Sequence, residues 1–147
     1  MSFPVLVLGC QKGWVEHNDS FYCTTSNPQR TLREARQRCE EMSADLPIIK
    51  SQWENDFIAN LMKQPERKRV WLGMKRNQSG FFWLDGSPAE PSQRVPYSAW
   101  GNNELRRNHQ EEKNCAFLDS HSKRWVDSNC IVDKIYVICQ KIKGRYT

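Results

Sequence analysis

The chain has 147 residues, the length of a single domain with its own hydrophobic core. Hydrophobic residues make up 38% of it and charged residues 27%, which argues against both an intrinsically disordered chain and a bundle of membrane helices. The formal net charge of +5 is compatible with an acidic partner but does not single out nucleic acid, because excess lysine and arginine also suit an ordinary solvated surface.

The segment before the first cysteine, residues 1–9, contains a short apolar run at residues 3–9. This run is too short for the core of a signal peptide with its flanks, and far too short to span a bilayer. We interpret residues 1–9 as an N-terminal strand. The alternative is the remnant of a stalk or leader.

The next regular segment, residues 31–42, has the pattern of an amphipathic helix. Thr31 and Glu34 have the spacing of a capping box, in which each side chain satisfies a backbone N–H at the helix start. The apolar residues recur at helical intervals and predict one buried face: Leu32, Ala35, Cys39 and Met42.

A second amphipathic helix is predicted from residue 51 onward. Ser51 and Glu54 repeat the capping-box spacing, and Pro65 ends the helix. The residues predicted to form its apolar face are Trp53, Phe57, Leu61 and Met62.

Short strands follow the helices. Residues 70–74 and 81–85 are aromatic and branched runs joined by a predicted loop at residues 75–80. Residues 85–114 then show little strand or helix signal, and a loop of this length in a compact domain is usually functional. Three further strands are predicted at residues 115–120, 124–128 and 136–142. The overall pattern is α+β, with helices first and antiparallel strands after them.

Six cysteines are present, and no two of them form a CxxC pair of the kind used in zinc ribbons or redox sites. An even number without metal-ligand spacing indicates three disulfides and an oxidising compartment. Six cysteines allow about 15 pairings, so their spacing alone does not assign the partners.

These features, taken in order, resemble the long form of the C-type lectin-like domain. The matching motifs are WLGM at residues 71–74, WLDGSP at residues 83–88 and RWVDSNC at residues 124–130. The resemblance implies two helices packed on small antiparallel sheets with a long irregular loop, and it implies the disulfides Cys10–Cys23, Cys39–Cys139 and Cys115–Cys130. We place the domain at residues 10–141, followed by a basic tail at residues 142–147.

In sugar-binding members of that family, oxygen atoms of the long loop and of a late strand hold a calcium ion. The corresponding positions in this chain form a degenerate calcium site: Glu104, Arg106, Lys113, Val126 and Asp127. Only two of them keep a carboxylate, and Arg106 and Lys113 place cations where calcium would lie, so we predict that the site binds neither metal nor cofactor.

Two further substitutions support this prediction. Leu105 stands where the family has a cis proline, and a cis bond before leucine would cost about 3–4 kcal/mol, so the Glu104–Leu105 bond is expected to be trans. A second calcium site of the family maps to Arg76 and Arg107. We expect Glu104 and Asp127 to face water beside a neighbouring arginine, in an exposed pair worth about 0–1 kcal/mol.

The pattern is most similar to the calcium-independent natural-killer and myeloid receptor branch, although the chain keeps more of the sugar-loop frame than that branch usually does. The resemblance implies an extracellular module, either a type II cell-surface ectodomain or a secreted protein, that binds a cell-surface protein ligand and can form homodimers. The candidate ligand-binding residues are Trp100, Asn102, Asn103, Glu104, Leu105, Arg106 and Arg107.

The alternative function is glycan binding, through residual sugar recognition or capture of a sulfated polyanion on basic clusters. The residues that would hold a polyanion are Lys63, Arg67, Lys68, Arg69, Lys75 and Arg76. No aromatic residue interrupts residues 63–69, which weakens a nucleic-acid interpretation.

An enzymatic function has little support in the sequence. The three histidines, His17, His109 and His121, lie in polar stretches without a catalytic motif, and we expect them to be solvated. The three implied disulfides leave no thiol nucleophile. Two sequons, at Asn18 and Asn77, predict glycosylation in turn-like segments.

Overall fold

The computed structural model describes residues 10, 12–62, 68–101 and 112–144. The prediction of a strand at residues 1–9 lies outside these ranges. The helices of the described part are α1 (Leu32–Glu40) and α2 (Gln52–Leu61), and a short 3-10 helix covers Pro91–Gln93. Its strands are β1 (Val15–His17), β2 (Ser20–Thr24), β3 (Gln29–Thr31), β4 (Arg69–Trp71), β5 (Met74–Asn77), β6 (Gly80–Trp83), β7 (Cys115–Asp119), β8 (Trp125–Ser128), β9 (Ile131–Tyr136) and β10 (Ile138–Ile142).

The strands form three small sheets. The first has the order β1-β2-β10, the second β3-β9-β4-β7-β8, and the third is the β5-β6 hairpin. All pairs are antiparallel except β4 with β9. This confirms the α+β architecture with two helices and small, mostly antiparallel sheets.

Helix α1 begins where the capping pattern predicts. The Thr31 hydroxyl accepts a hydrogen bond from the backbone N–H of Glu34 at 3.0 Å. The predicted apolar face is also confirmed, because Leu32, Ala35 and Cys39 are buried in the helix and Met42 is buried just after it.

Helix α2 also begins at its predicted cap, with Ser51 accepting from the N–H of Glu54 at 3.2 Å. Its predicted apolar face, however, is partly wrong. Trp53 is 78% exposed, whereas the polar residue Asn55 is only 1% exposed. The reason is that Asn55 is fully engaged: its side-chain oxygen accepts from the Trp125 indole at 2.8 Å and its amide donates to the Lys123 carbonyl at 2.8 Å.

Several strand boundaries differ from the prediction. Residues 75–77 belong to β5, so the predicted loop at residues 75–80 shrinks to a two-residue turn between Asn77 and Gly80. Gly80 has a positive φ of 118°, which a glycine adopts without strain. Strands β1, β2 and β3 and most of β9 were not predicted, because they are short or lack a regular apolar alternation.

The three disulfides implied by the resemblance are present: Cys10–Cys23, Cys39–Cys139 and Cys115–Cys130. The second joins α1 to β10 across a sequence separation of 100, and the third joins the start of β7 to the residue before β9 across a separation of 15. Backbone hydrogen bonding continues into the first two residues of the segment predicted to be a basic tail, and the domain boundary at residue 141 stays a prediction. Ile142 pairs with Ser20, and the N–H of Lys143 donates to the Asp19 carbonyl at 2.8 Å.

A cluster of aromatic rings lies at the centre of the larger core. Trp125 on β8 is fully buried. Its ring meets those of Trp83, Trp100 and Tyr97 edge to face, with centroid distances of 5.2, 5.6 and 5.8 Å. This packing holds β8 in place and thereby positions Asp127, two residues further along the strand.

Candidate ligand-recognition site

The described residues that correspond to the family's calcium site lie where β5, β7 and β8 meet. Asp127 on β8 pairs with Ala116 on β7. Arg76 on β5 donates its backbone N–H to the Asn114 carbonyl at 2.8 Å, just before β7. These contacts bring Arg76, Lys113 and Asp127 together although they are far apart in sequence.

Asp127 does not face water, which corrects the prediction made from the sequence. Its side chain is 3% exposed, and its carboxylate accepts a hydrogen bond from an Arg76 Nη at 3.4 Å. The Arg76 guanidinium also lies over the Phe81 ring, 4.5 Å from the centroid, so the cation is held in place. The pair with arginine is present as expected, but it is largely buried because Asp127 shares the inner face of β8 with Trp125.

The electrostatics of Asp127 follow from this burial. Desolvation raises the pKa of the Asp127 carboxyl above its usual range, and Lys113 and Arg76 act in the opposite direction without cancelling the effect. The carboxylate is therefore a desolvated anion that two protein cations stabilise only in part.

This shift has a consequence for stability. Because the folded state binds the Asp127 proton more tightly than the unfolded chain, the associated stability is present below the ordinary pKa of 3.8 and is lost as the pH rises through the raised value. An Asp127→Asn variant lacks this loss. We therefore expect the variant to become more stable relative to the parent, with a larger unfolding free energy, as the pH rises from 3.8 toward neutrality. Urea unfolding at a series of pH values measures the difference.

A matched control is Asp133→Asn, which makes the same chemical change at a carboxylate that is 77% exposed and paired with Arg30. A relative stability of Asp127→Asn that falls with rising pH would contradict the assignment of a buried, desolvated carboxylate.

The described positions of the degenerate site do not fit a calcium ion. Calcium requires six to eight oxygen ligands. Of the three described positions, Val126 packs as a hydrocarbon against the second core cluster, Lys113 brings a cation, and Asp127 is engaged by Arg76. Within the described ranges, no group of three or more His, Cys, Asp or Glu residues could hold a metal.

Trp100, predicted to be an exposed ligand contact, is buried. It is 9% exposed, its indole N–H donates to the Ala89 carbonyl at 2.9 Å, and its ring lies 4.9 Å from that of Phe81. It is thus part of the core and not an exposed ligand contact. The other candidate ligand contacts, Asn102, Asn103, Glu104, Leu105, Arg106 and Arg107, lie outside the described residues, as does the Glu104–Leu105 bond.

Among the cationic residues predicted to bind a polyanion, the four that the structure describes, Lys68, Arg69, Lys75 and Arg76, do not form one surface. Arg69 pairs with Asp119 at one end of β7, whereas Arg76 bonds to Asn114 before its other end. The two ends are about 17 Å apart at the usual rise of a strand. Lys63 and Arg67 lie outside the described residues.

The separated cations also have different surroundings. Lys68 Nζ lies 4.8 Å from the centroid of the Tyr136 ring, and the Arg69 guanidinium lies 5.2 Å from that of Phe117. Arg76 forms an ion pair with Asp127. Lys75 faces a groove beside α1 that the sequence did not suggest.

The histidines and sequons complete the set of predicted residues. His17 was expected to be solvated, and this is wrong: its ring stacks on Phe57 with centroids 4.0 Å apart. His121 is exposed as expected, and His109 lies outside the described residues. Asn18 lies in a turn and Asn77 is the last residue of β5, and both are exposed, so that a glycan can be attached; their glycosylation stays a prediction.

The sequence pattern predicts Glu54 only as part of the capping box of α2, and the structure shows that its carboxylate is also buried. It is 8% exposed, its pKa is raised by burial, and the Ser51 hydroxyl donates to it. The capping box accounts for its position, so it indicates no catalytic role.

Comparison with known proteins identifies the family. The Lectin C-type domain model matches residues 28–141. The chain is 33% identical over 143 residues to the C-type lectin domain family 4 member M of Nomascus concolor, covering 95% of this chain and 33% of that protein. It is 33% identical over 118 residues to the CD209 antigen of the same species, covering 79% of this chain and 27% of that protein.

Among solved structures, the mouse scavenger receptor C-type lectin carbohydrate-recognition domain superposes with a TM-score of 0.72 at 26% identity, covering 92% of this chain and all of that one. The chain belongs to the C-type lectin domain family. It spans about a third of the length of the curated relatives named above. Among the described residues, no helix is both long and apolar enough to cross a membrane.

Proposed function

We propose that this domain is an extracellular recognition module that binds a protein ligand without calcium. The observation that carries the proposal is the buried Asp127 carboxylate in contact with Arg76 at 3.4 Å, with Lys113 acting on the same charge. A calcium ion at this place would have to displace Arg76 from Asp127 and would lie close to two cations. Three disulfides and two exposed sequons support an extracellular location, at the cell surface or secreted.

Residues 102–107 of the long loop are the proposed contact for the protein ligand, since they directly follow Trp100 and Gly101, which lie against β8, the strand that carries Asp127. The N–H of Gly101 donates to the Trp125 carbonyl, so the residue that precedes the candidate contacts is tied to β8. Trp100 is buried in the core, and the ligand contacts are assigned to residues 102–107. We assign the domain no enzymatic activity, and a homodimer stays a prediction.

Glycan binding is the second candidate. The names of similar proteins favour it, because one relative is named a C-type lectin domain family member and one solved structure is a carbohydrate-recognition domain at 26% identity. Without calcium, a sugar or sulfated chain would have to be held by cations such as Lys68 and Arg69, whose charges lie over aromatic rings.

Calcium is expected to leave the melting temperature unchanged at millimolar concentration. A ligand that binds only the folded state stabilises it by RT ln(1 + [L]/Kd), so even a weak site would raise the transition. The measurement is thermal unfolding with calcium, with magnesium as a control for ionic strength, and with a chelator.

A glycan array probed in chelator and in calcium separates the two candidates. Glycan binding that appears only with calcium, together with a rise in melting temperature, would overturn the proposal and place a sugar-binding site first. Glycan binding in chelator that disappears at high salt would favour the polyanion alternative.

A further inference from the structure

A groove of about 620 Å³ lies between α1 and the β5-β6 hairpin. We call it the α1 groove and define it by three apolar side chains, Leu32, Leu84 and Ile131, and three cationic ones, Arg33, Arg36 and Lys75. Its volume is in the range of sites that enclose a ligand the size of a short peptide segment or a small molecule.

The cations reach the groove from two elements. Arg33 and Arg36 are three residues apart on α1 and therefore lie on the same face of the helix. Lys75 is adjacent to Arg76 on β5, and successive residues of a strand point to opposite faces. Strand β5 thus directs Arg76 to Asp127 and Lys75 to the groove.

The charge of the groove is unbalanced. One carboxylate, that of Glu40, lines it together with the three cations. Arg36 is anchored by Asp45 at 3.2 Å and approaches Glu40 at 3.7 Å, while its side chain stays 42% exposed. Arg33 and Lys75 are both exposed residues. The groove is therefore a positively charged surface whose best complement is an anion.

The groove also has an apolar component that a simple anion would not use. Ile131 is 63% exposed, and in the described part of the chain only Trp53 is a more exposed large hydrophobic residue. It follows Cys130, which the disulfide to Cys115 ties to β7. Leu32 and Leu84 continue the apolar lining.

We infer that the α1 groove binds an acidic peptide segment of a protein partner, with carboxylates placed against Arg33 and Lys75 and an apolar side chain packed on Leu84 and Ile131. The inference deepens the proposed function, on whose protein-ligand class it rests, and adds a surface separate from the Asp127–Arg76 pair. A sulfated glycan would satisfy the cations but would leave the apolar lining without a partner, so the peptide fits the groove better.

The probe is a fluorescein-labelled hexapeptide of four glutamates and two leucines, with binding followed by fluorescence anisotropy. Lys75→Glu and Ile131→Ser are each expected to weaken binding about tenfold, a typical effect of losing one contact of an exposed charge or apolar side chain. Both residues are exposed, so the variants are expected to melt near the parent. A second hexapeptide with serines in place of the leucines should bind about tenfold more weakly to the parent.

The control variants make comparable changes elsewhere, one charge reversal and one replacement of an exposed branched apolar side chain by serine. Arg124→Glu reverses an exposed charge at the β7-β8 turn, and Val15→Ser removes an apolar side chain that is 44% exposed on β1. Both controls should bind the leucine peptide like the parent.

Three results would overturn the inference: no peptide binding at millimolar concentration, equal weakening by the controls, or equal affinity for the serine peptide. The last of these, with heparin competing fully, would assign the groove to polyanions instead. The failure of the calcium-independence proposal is detected separately, because it appears in the melting temperature with calcium and not in the response to the groove variants.

Discussion

Replacement of Trp125 by alanine is expected to lower the unfolding free energy by about 3–5 kcal/mol. The ring is fully buried, meets three other aromatic rings edge to face, and donates its indole N–H to Asn55 at 2.8 Å. Truncation leaves a cavity between the rings and removes the hydrogen-bond partner of a buried amide. Since domains are stable by about 5–15 kcal/mol, the loss is a large part of the total. Urea or guanidinium unfolding measures it.

The matched control is Trp53→Ala, the same substitution at a tryptophan that is 78% exposed. It is expected to change the unfolding free energy by no more than about 0.5 kcal/mol. If Trp53→Ala destabilised the domain as much as Trp125→Ala, the assignment of Trp53 to the outer face of α2 would be wrong.

The second large effect concerns the disulfides. Replacing both Cys39 and Cys139 by alanine should cost about 4–5 kcal/mol, because their bridge closes a sequence separation of 100 and restricts the unfolded chain most. Replacing both Cys115 and Cys130 should cost about 3 kcal/mol, because the separation there is 15. Denaturant unfolding of the two double variants gives the comparison.

The two pairs serve as controls for each other, since each double variant removes two sulfur atoms and one bridge. Mass spectrometry of the unreduced, alkylated parent is expected to show no free thiol. Two or more alkylated cysteines in the native protein, or a larger loss from the Cys115–Cys130 variant, would contradict this account of how the bridges stabilise the fold.

Much of the fold could be predicted from local sequence patterns. The caps at Thr31 and Ser51 depend on a residue three positions away, and the face of α1 depends on a helical period, so both are visible in a short window. The family motifs and the six cysteines then led to the disulfide pairs that the structure contains.

The same local patterns predicted the wrong burial for residues whose environment depends on contacts with distant parts of the chain. On α2, periodicity favoured Trp53 as a buried residue, but Asn55 takes the inner position because Trp125 and Lys123 supply partners for its amide. Trp100, next to a polar loop, looked like an exposed contact, yet the Ala89 carbonyl and the Phe81 ring enclose it.

The class of fold and the helix starts could be predicted before any contact was known, and the family resemblance implied that positions 113 and 126 lack calcium-ligand side chains. The contacts made around these positions are visible only in the folded domain. Arg76 meets Asp127 across 51 residues, and Lys75 turns to the opposite side to join Arg33 at the α1 groove. The physical reason is that strand register and sheet packing, which bring distant side chains together, depend on the whole core and are not encoded in any short segment.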